Sequence, residues 1–242
     1  MMLETDLVPF SVSVPPGERV LVFAPHPDDE TLGMGGSLRL LSENGKKIKV
    51  VVLTKGEKAD PDTRDLERYA HLRKKETLMA LKVLGITDYI FLEFPDRELD
   101  LYRSDVEGAL RAIVDDFAPD VIYSPSIVEI HPDHRVTAEL SVAIKQKTDT
   151  LKCLFYEIVT PIRPNILVDI TKVFHRKKKA IKCYKTQLRI NDYLHLLTCL
   201  NTYRSFTLGK NVKYAEAFWE ISQMPYENMT TWLNYKDPLK LQ

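Results

Sequence analysis

Arg19-Val-Leu-Val-Phe-Ala-Pro-His-Pro-Asp-Asp-Glu-Thr-Leu-Gly-Met-Gly-Gly36 falls into two unlike halves. Residues 20–24 form a short uninterrupted apolar run, the pattern of a strand buried on both faces. The run stops at Pro25-His-Pro-Asp-Asp-Glu30, where one imidazole and three carboxylates occupy five positions. Each proline fixes φ and lacks an N–H, so the pair ends the strand and stiffens the turn that follows. A buried strand thus delivers a dense acidic loop with a histidine to one edge of a sheet. Core packing has no use for so many ionisable groups, so the loop reads as a site.

The same alternation of strand and helix repeats outward. A helix is expected over 32–43, ended by Gly45, and a second buried strand in Lys49-Val-Val-Val-Leu53. A polar loop over 54–63 leads into a long helix over 65–84, with Leu72, Leu78, Leu81 and Leu84 apolar and Gly85 as its stop. Strand 89–94, helix 106–117, strand 121–124 and helix 132–147 follow in turn. Beyond them come strands at 154–159 and 166–168, helices at 173–184 and 193–204, and a strand or short helix at 214–221. Such alternation builds βαβ units and predicts an α/β, Rossmann-like fold, a mostly parallel sheet with helices on both faces. Ligands of these sheets bind outside the carboxyl ends of strands. The loops after Ala24 and after Ser124 both lie at such ends, and both carry histidines. No repeat, low-complexity tract or linker interrupts the chain, so 1–242 reads as a single domain, with part of the pocket wall coming from about residue 150 onward.

Composition narrows the function classes. A chain of 242 residues with 44% hydrophobic side chains supplies the core of an ordinary domain. Lys+Arg and Asp+Glu balance at 34 each, which argues against nucleic-acid phosphates or an anionic membrane as the partner. Cys153, Cys183 and Cys199 form no CxxC. They predict neither a disulfide framework nor a thiolate zinc site, and read as small buried hydrophobes. The first 18 residues show no basic-then-apolar leader and no segment reaches spanning length, so a soluble cytoplasmic protein is expected.

Zinc takes neutral imidazole nitrogens and carboxylate oxygens, and a catalytic site keeps three protein ligands and one open position. His26 and Asp29, three apart across a strand-to-helix turn, can point into one cavity. Asp28 beside them faces differently, free to act on metal-bound water. A third ligand has to come from elsewhere, and His131-Pro-Asp-His134 is the supplier. Pro132 suits the first helical position, which puts His131 and His134 on one face, one for the metal and the other for the substrate. Asp133 is placed to orient or charge a neighbouring histidine. A solitary histidine or Asp-Asp pair is ordinarily a surface group or helix cap. Two histidine-bearing clusters at strand ends are not.

Pro-His-Pro-Asp-Asp-Glu30, Gly33-Met-Gly-Gly36 and the later His131-Pro-Asp-His134 resemble the LmbE/PIG-L family of zinc-dependent N-deacetylases. The likeness extends through Thr54-Lys-Gly-Glu57, Arg73-Lys-Lys-Glu76, Leu84-Gly85 and Pro95-Asp-Arg97, covering roughly residues 20–140 well and the last hundred loosely. It implies a three-layer α/β/α fold and removal of an acetyl group from an amino sugar or N-acetylglucosamine-type glycoconjugate. His26, Asp29 and His134 would bind Zn²⁺, with Fe²⁺ an alternative in the cell because the donor set suits both. Asp28 would be the general base on the zinc-bound water. His131 would stabilise the oxyanion or protonate the leaving amine, and Asp133 would support its charge. Arg73, with Asp96 and Arg97, would contact the substrate. Without the family, Arg73 reads as an exposed helix arginine pairing with Glu76 or Glu67. The partner is a small amino-sugar molecule, and pairing of sheet edges makes a homo-oligomer one expectation.

Other features carry less. Gly33-Met-Gly-Gly36 lacks the spacing of a dinucleotide loop and reads as close helix–sheet packing. His175-Arg-Lys-Lys-Lys179 reads as a solvated helix face, with a basic patch for an anionic substrate moiety as the alternative, and Glu30 as a carboxylate favoured at a helix N-terminus. At Tyr184-Lys-Thr-Gln187 the chain departs from the family's Ser-Gln segment. Tyr193, Tyr203 and Trp219 are either core or a sugar-binding wall. Two rival readings are a hydrolase of another amide or ester, and a metal- or sugar-binding protein without catalysis.

Overall fold

The computed structural model describes residues 11–12 and 14–221. Strands β1 (Ser11–Val12), β2 (Arg19–Ala24), β3 (Lys47–Thr54), β4 (Asp88–Phe94), β5 (Val121–Pro125), β6 (Lys152–Tyr156), β7 (Ile166–Asp169) and β8 (Ala215–Glu220) form one sheet in the order β1-β7-β8-β6-β5-β2-β3-β4. All neighbouring pairs are parallel except β8, which runs antiparallel to both β6 and β7. Helices α1 (Asp29–Glu43), α2 (Leu66–Leu84), α3 (Arg103–Phe117), α4 (Pro132–Lys145), α5 (Phe174–Ile181), α6 (Lys185–Leu188) and α7 (Tyr193–Arg204) cover it.

The apolar run of the opening stretch explains the three layers. Side chains of a strand alternate between faces. Val20, Val22 and Ala24 join Leu38, Leu81 and Phe174 in one core, while Leu21 and Phe23 join Val106, Leu110, Val136 and Leu140 in the other. Helices α1, α2, α5 and α7 thus pack on one face and α3 and α4 on the opposite face. Each such valine, leucine or phenylalanine taken fully out of water contributes about 1.5–3 kcal/mol.

The chain runs from β2 outward through β3 to β4, then returns to place β5 on the other side of β2. The connections leaving the carboxyl ends of β2 and β5 therefore diverge, which opens the crevice where such sheets take ligands.

Several expected boundaries move, each for a local reason. Helix α1 starts at Asp29 rather than near 32, because its first turn holds carboxylates, favoured there but invisible to an apolar pattern. Helix α3 begins at Arg103, ahead of its first apolar residue. The strand expected over 154–159 ends at Tyr156, since the next residues bend away to bond a side chain described below. The helix expected over 173–184 ends at Ile181, and the short α6 follows separately from Lys185. The 214–221 segment is strand β8, and β1 was not foreseen.

Helix α1 bends at Met34, whose φ of −139° is non-helical. Its glycines do allow close packing: a Cβ on Gly33 would stand 2.2 Å from the Tyr156 ring, and one on Gly36 2.7 Å from Ile170. The half-helix beyond the bend is capped from β8. Glu216 accepts from the backbone N–H of Gly36 (2.8 Å) and Ser37 (2.7 Å). Lys177 completes the group at 2.7 Å from Glu216, and both side chains are buried. The basic run is therefore not wholly solvated. Nor are the cysteines uniformly core, since Cys153 is buried but Cys199 is exposed. Among the described residues, no helix is long and apolar enough to cross a membrane.

Candidate functional site

Four loops at the carboxyl ends of β2, β3, β4 and β5 meet over the crevice. The β2–α1 turn brings His26, Asp28 and Asp29, all buried, and α4 brings His134 from its first turn. Three of their atoms form a nearly equilateral triangle. His26 Nδ1 lies 3.1 Å from Asp29 Oδ2 and 3.1 Å from His134 Nε2, and His134 Nε2 lies 3.1 Å from Asp29 Oδ2. A tetrahedral cation with bonds near 2.05 Å sets neighbouring ligand atoms about 3.3 Å apart. The triangle has that size and the right donor chemistry, so these residues fit a zinc-like ion.

The outer contacts fix which histidine nitrogen faces the centre. His26 Nε2 stands 3.1 Å from Asp96 Oδ1 and 3.3 Å from Asp133 Oδ2, so its proton belongs on Nε2 and its Nδ1 lone pair points inward. His26, Asp96, His131 and Asp133 also gather ligand atoms within 4.8 Å, as do His26, His131 and His134. The four-residue group is the less suitable holder. Asp133 Oδ2 and Oδ1 already accept from the N–H groups of Arg97 (2.7 Å) and Leu99 (3.2 Å), and Asp96 Oδ2 accepts from Lys58 N–H at 3.1 Å. They orient His26 and tie the loops together.

Without a cation the facing lone pairs must be held by protons. Burial opposes protonation of His134, yet the Asp29 carboxylate overrides it and lifts the pKa to about 9. Burial likewise opposes a charged His26, and Asp133, Asp29 and Asp96 raise it well above the ordinary imidazole value. Burial would raise Asp29, but the two histidines hold it well below the usual carboxylate range.

Asp28 behaves differently. Burial pushes its carboxyl up to about 7, opposed by Arg73 and assisted by the Asp29 charge. Its φ of 139° is a conformation that side chains rarely adopt, as strained sites at functional positions often do. Arg73 is not an exposed helix arginine. It is 2% exposed, pairs with Asp28 Oδ2 at 3.1 Å, and donates to the carbonyls of Gly56 (2.8 Å) and Pro27 (2.7 Å). Its guanidinium clamps the loop that carries Asp28.

His131 caps α4: its Nδ1 accepts from the Asp133 N–H at 3.2 Å. The ring proton is therefore on Nε2, and burial with the neighbouring charges of His26 and His134 pulls the pKa down to about 4. The imidazole is neutral at ordinary pH. Asp133 reaches His131 through this backbone bond, while its carboxylate addresses His26.

A cavity of about 220 Å³ opens over the centre. It is lined by all nine residues singled out from the sequence except Asp133, which lies behind His26. Arg97 is exposed at the rim, whereas Asp96 is buried.

Sequence reasoning missed two supports. Glu57 accepts the Asp96 N–H (3.1 Å) and so fixes the β4–α3 loop. Glu129 is fully buried, and its Oε1 accepts from the N–H groups of Ile158, Val159 and Thr160 at 2.8–3.3 Å. This bond set ends β6 and lays Ile158 and Val159 along the cavity. Glu129 Oε2 has no bond and stands 3.8 Å from His134 Nδ1, within a small adjustment of bonding the ring nitrogen that faces away from the centre. The signal for Glu129 was its place two residues before His131, without any pattern in residues 157–160.

The C-terminal part supplies the remaining wall. Gln187, Ile190, Asn191 and Tyr193 line the cavity, and α2 holds their segment through Glu76–Thr186 and Tyr69–Gln187 bonds. Tyr184 does not reach the cavity. It donates to Glu30 at 2.6 Å, so Glu30 is a buried, bonded carboxyl rather than a free helix-end charge. Trp219 packs on Phe155, and Tyr203 is exposed.

Residues 21–145 match the family described as PIG-L, GlcNAc-PI de-N-acetylase. The chain is 31% identical over 189 residues to the probable N-acetyl-α-D-glucosaminyl L-malate deacetylase 2 of Bacillus subtilis, covering 70% of this chain and 83% of that one. It is 26% identical over 188 residues to the diacetylchitobiose deacetylase of Thermococcus kodakarensis, covering 70% of each. Among solved structures, N,N'-diacetylchitobiose deacetylase from Pyrococcus horikoshii with a bound inhibitor superposes with a TM-score of 0.77 at 26% identity, over 93% of this chain and 94% of the other. Fold, loop geometry and these matches agree, and the chain belongs to the PIG-L (LmbE-like) family.

Proposed function

We propose that this chain is a zinc-dependent hydrolase that removes the acetyl group from an amino sugar or N-acetylglucosamine conjugate, releasing acetate and a free amine. One observation carries the reading: His26 Nδ1, Asp29 Oδ2 and His134 Nε2 stand 3.1 Å apart in each pair, in a cavity that also holds the buried Asp28. The relatives' names supply the substrate class. A dication held there would polarise the acetamide carbonyl and acidify the attacking water.

The chain's own residues do the rest. Asp28, buried beside the triangle and paired with Arg73, takes the proton of that water. Arg73 holds it in place. His131 aims a neutral Nε2–H at the oxygen on which negative charge develops. That differs from the imidazolium expected from the sequence, since a helix N–H occupies Nδ1. The proton collected by Asp28 is then available to the departing amine. Asp96 and Asp133 orient His26.

Free-amine release from a panel of N-acetylglucosamine, diacetylchitobiose and N-acetylglucosaminyl malate tests the proposal, using protein stripped of metal and reconstituted with Zn²⁺ or Fe²⁺. Release should require metal, at one ion per chain. Asp28→Asn should keep the ion and lose ~10²–10⁴-fold in kcat. Full activity after chelation would sink the metal role, and undiminished turnover by Asp28→Asn would remove that residue as base.

A further inference from the structure

Arg97 occupies a position that its own backbone disfavours. Its φ is +65°, the left-handed region in which glycine is at ease and a branched-off side chain is strained. The conformation is imposed from the centre of the site: the Arg97 N–H donates to Asp133 Oδ2 at 2.7 Å, the same oxygen that faces His26 Nε2. Packing does not account for an arginine there, because the side chain is exposed and its guanidinium has no partner among the described residues. Strain kept at an active-site mouth without a packing reason points to function.

The charges around it sharpen that function. Arg73, the other arginine of the cavity, is spent on Asp28 and two carbonyls. The acidic neighbours of Arg97 in sequence have cations of their own, Glu98 in Lys58 and Asp100 in Arg103. The cavity's carboxylates are buried at its floor. Among the described residues the rest of the rim is uncharged, with Ile130, Val159 and Ile190 exposed beside Asn191 and Tyr193. One unpaired guanidinium therefore stands on a neutral rim, anchored through Asp133 to a metal ligand's support.

We propose that Arg97 sets substrate specificity by binding an anionic group, a carboxylate or phosphate, on the part of the substrate beyond the acetamido sugar. The guanidinium fork matches either anion bidentately. The inference rests on the deacetylase reading of the same cavity and narrows it to acidic glycoconjugates.

Three N-acetylglucosamine glycosides that differ only in the aglycone test it: glycerol, glycerate and glycerol phosphate. The readout is the ratio of kcat/KM for each charged glycoside to that for the neutral one. Wild type should favour a charged glycoside, and whichever is preferred names the anion. In Arg97→Gly and Arg97→Gln the ratio should fall about ten- to hundredfold. Arg97→Gly should melt no lower than wild type, because glycine relieves the backbone. A wild-type enzyme without charge preference, a ratio unchanged in both variants, or a large loss of melting temperature in Arg97→Gly would each overturn the proposal. Calorimetric binding of the matching free-amine glycosides reads the same ratio without turnover. If no glycoside is hydrolysed yet the charged ones bind through Arg97, the deacetylase reading fails and the anion site stands.

Discussion

Asp28 and Arg73 show how one contact sets both a conformation and a proton affinity. Arg73 Nη2 meets Asp28 Oδ2 at 3.1 Å while the same guanidinium holds the Gly56 and Pro27 carbonyls. It therefore stabilises the strained φ of Asp28 and opposes the burial that pushes the carboxyl up to about 7. A base works only when ionised, so the acid limb of the kcat/KM profile follows this group. Removing the positive charge in Arg73→Gln takes away the influence that lowers the pKa. The limb should move to higher pH by about one unit or more, with part of the activity recovered in alkaline buffer. Were Arg73 only a substrate contact, KM would rise at every pH and the limb would stay in place. A pH series of kcat/KM for the two proteins separates these outcomes.

At the scale of elements, the bent α1 depends on a buried ion pair from distant parts of the chain. Glu216 of β8 caps the half-helix after Met34 through Gly36 and Ser37, and Lys177 of α5 neutralises it. Breaking one partner strands a buried charge, so Lys177→Met or Glu216→Gln should each cost about 3–5 kcal/mol in urea unfolding. Glu216→Gln/Lys177→Met should cost less than the two single changes summed, because no uncompensated charge remains. Additive losses would mean that the pair is not coupled. The same elements show what a sequence can reveal. Strands β2, β3 and β5 and helices α2 and α7 were legible because apolar runs, Asp65 and Gly85 mark them directly. The site's histidines and aspartates were legible because both clusters end neighbouring strands. Lys177 and Glu129 were not, and for Arg73 only the family resemblance pointed to the site, while its own letters read as an exposed helix arginine. Each is a charged side chain buried by partners at least 17 residues away, and a charged letter carries no mark of such a partner.

For the whole molecule, the triangle ties the loop after β2 to the start of α4, with His26 and His134 108 residues apart in sequence, so an ion bound there joins the two sides of the crevice. An ion that binds only the folded chain stabilises it by about 2.7 kcal/mol when free ion exceeds Kd a hundredfold. Chelation should lower the melting temperature, and re-addition should restore it. The effect must also depend on pH. In the metal-free protein the His134 pKa is raised to about 9, above its unfolded value near 6.5. Its proton thus stabilises the fold fully below about 6.5, and that contribution fades as pH rises through 9. The ion needs the neutral ring, so binding expels this proton and affinity climbs up to about tenfold per pH unit in that window. The gap in melting temperature between metal-loaded and chelated protein should therefore widen from pH 6.5 to 8.5. His134→Ala should abolish both the gap and its pH dependence. A gap of constant size across that range would show that the ion does not displace the His134 proton, and would move the metal away from His26, Asp29 and His134.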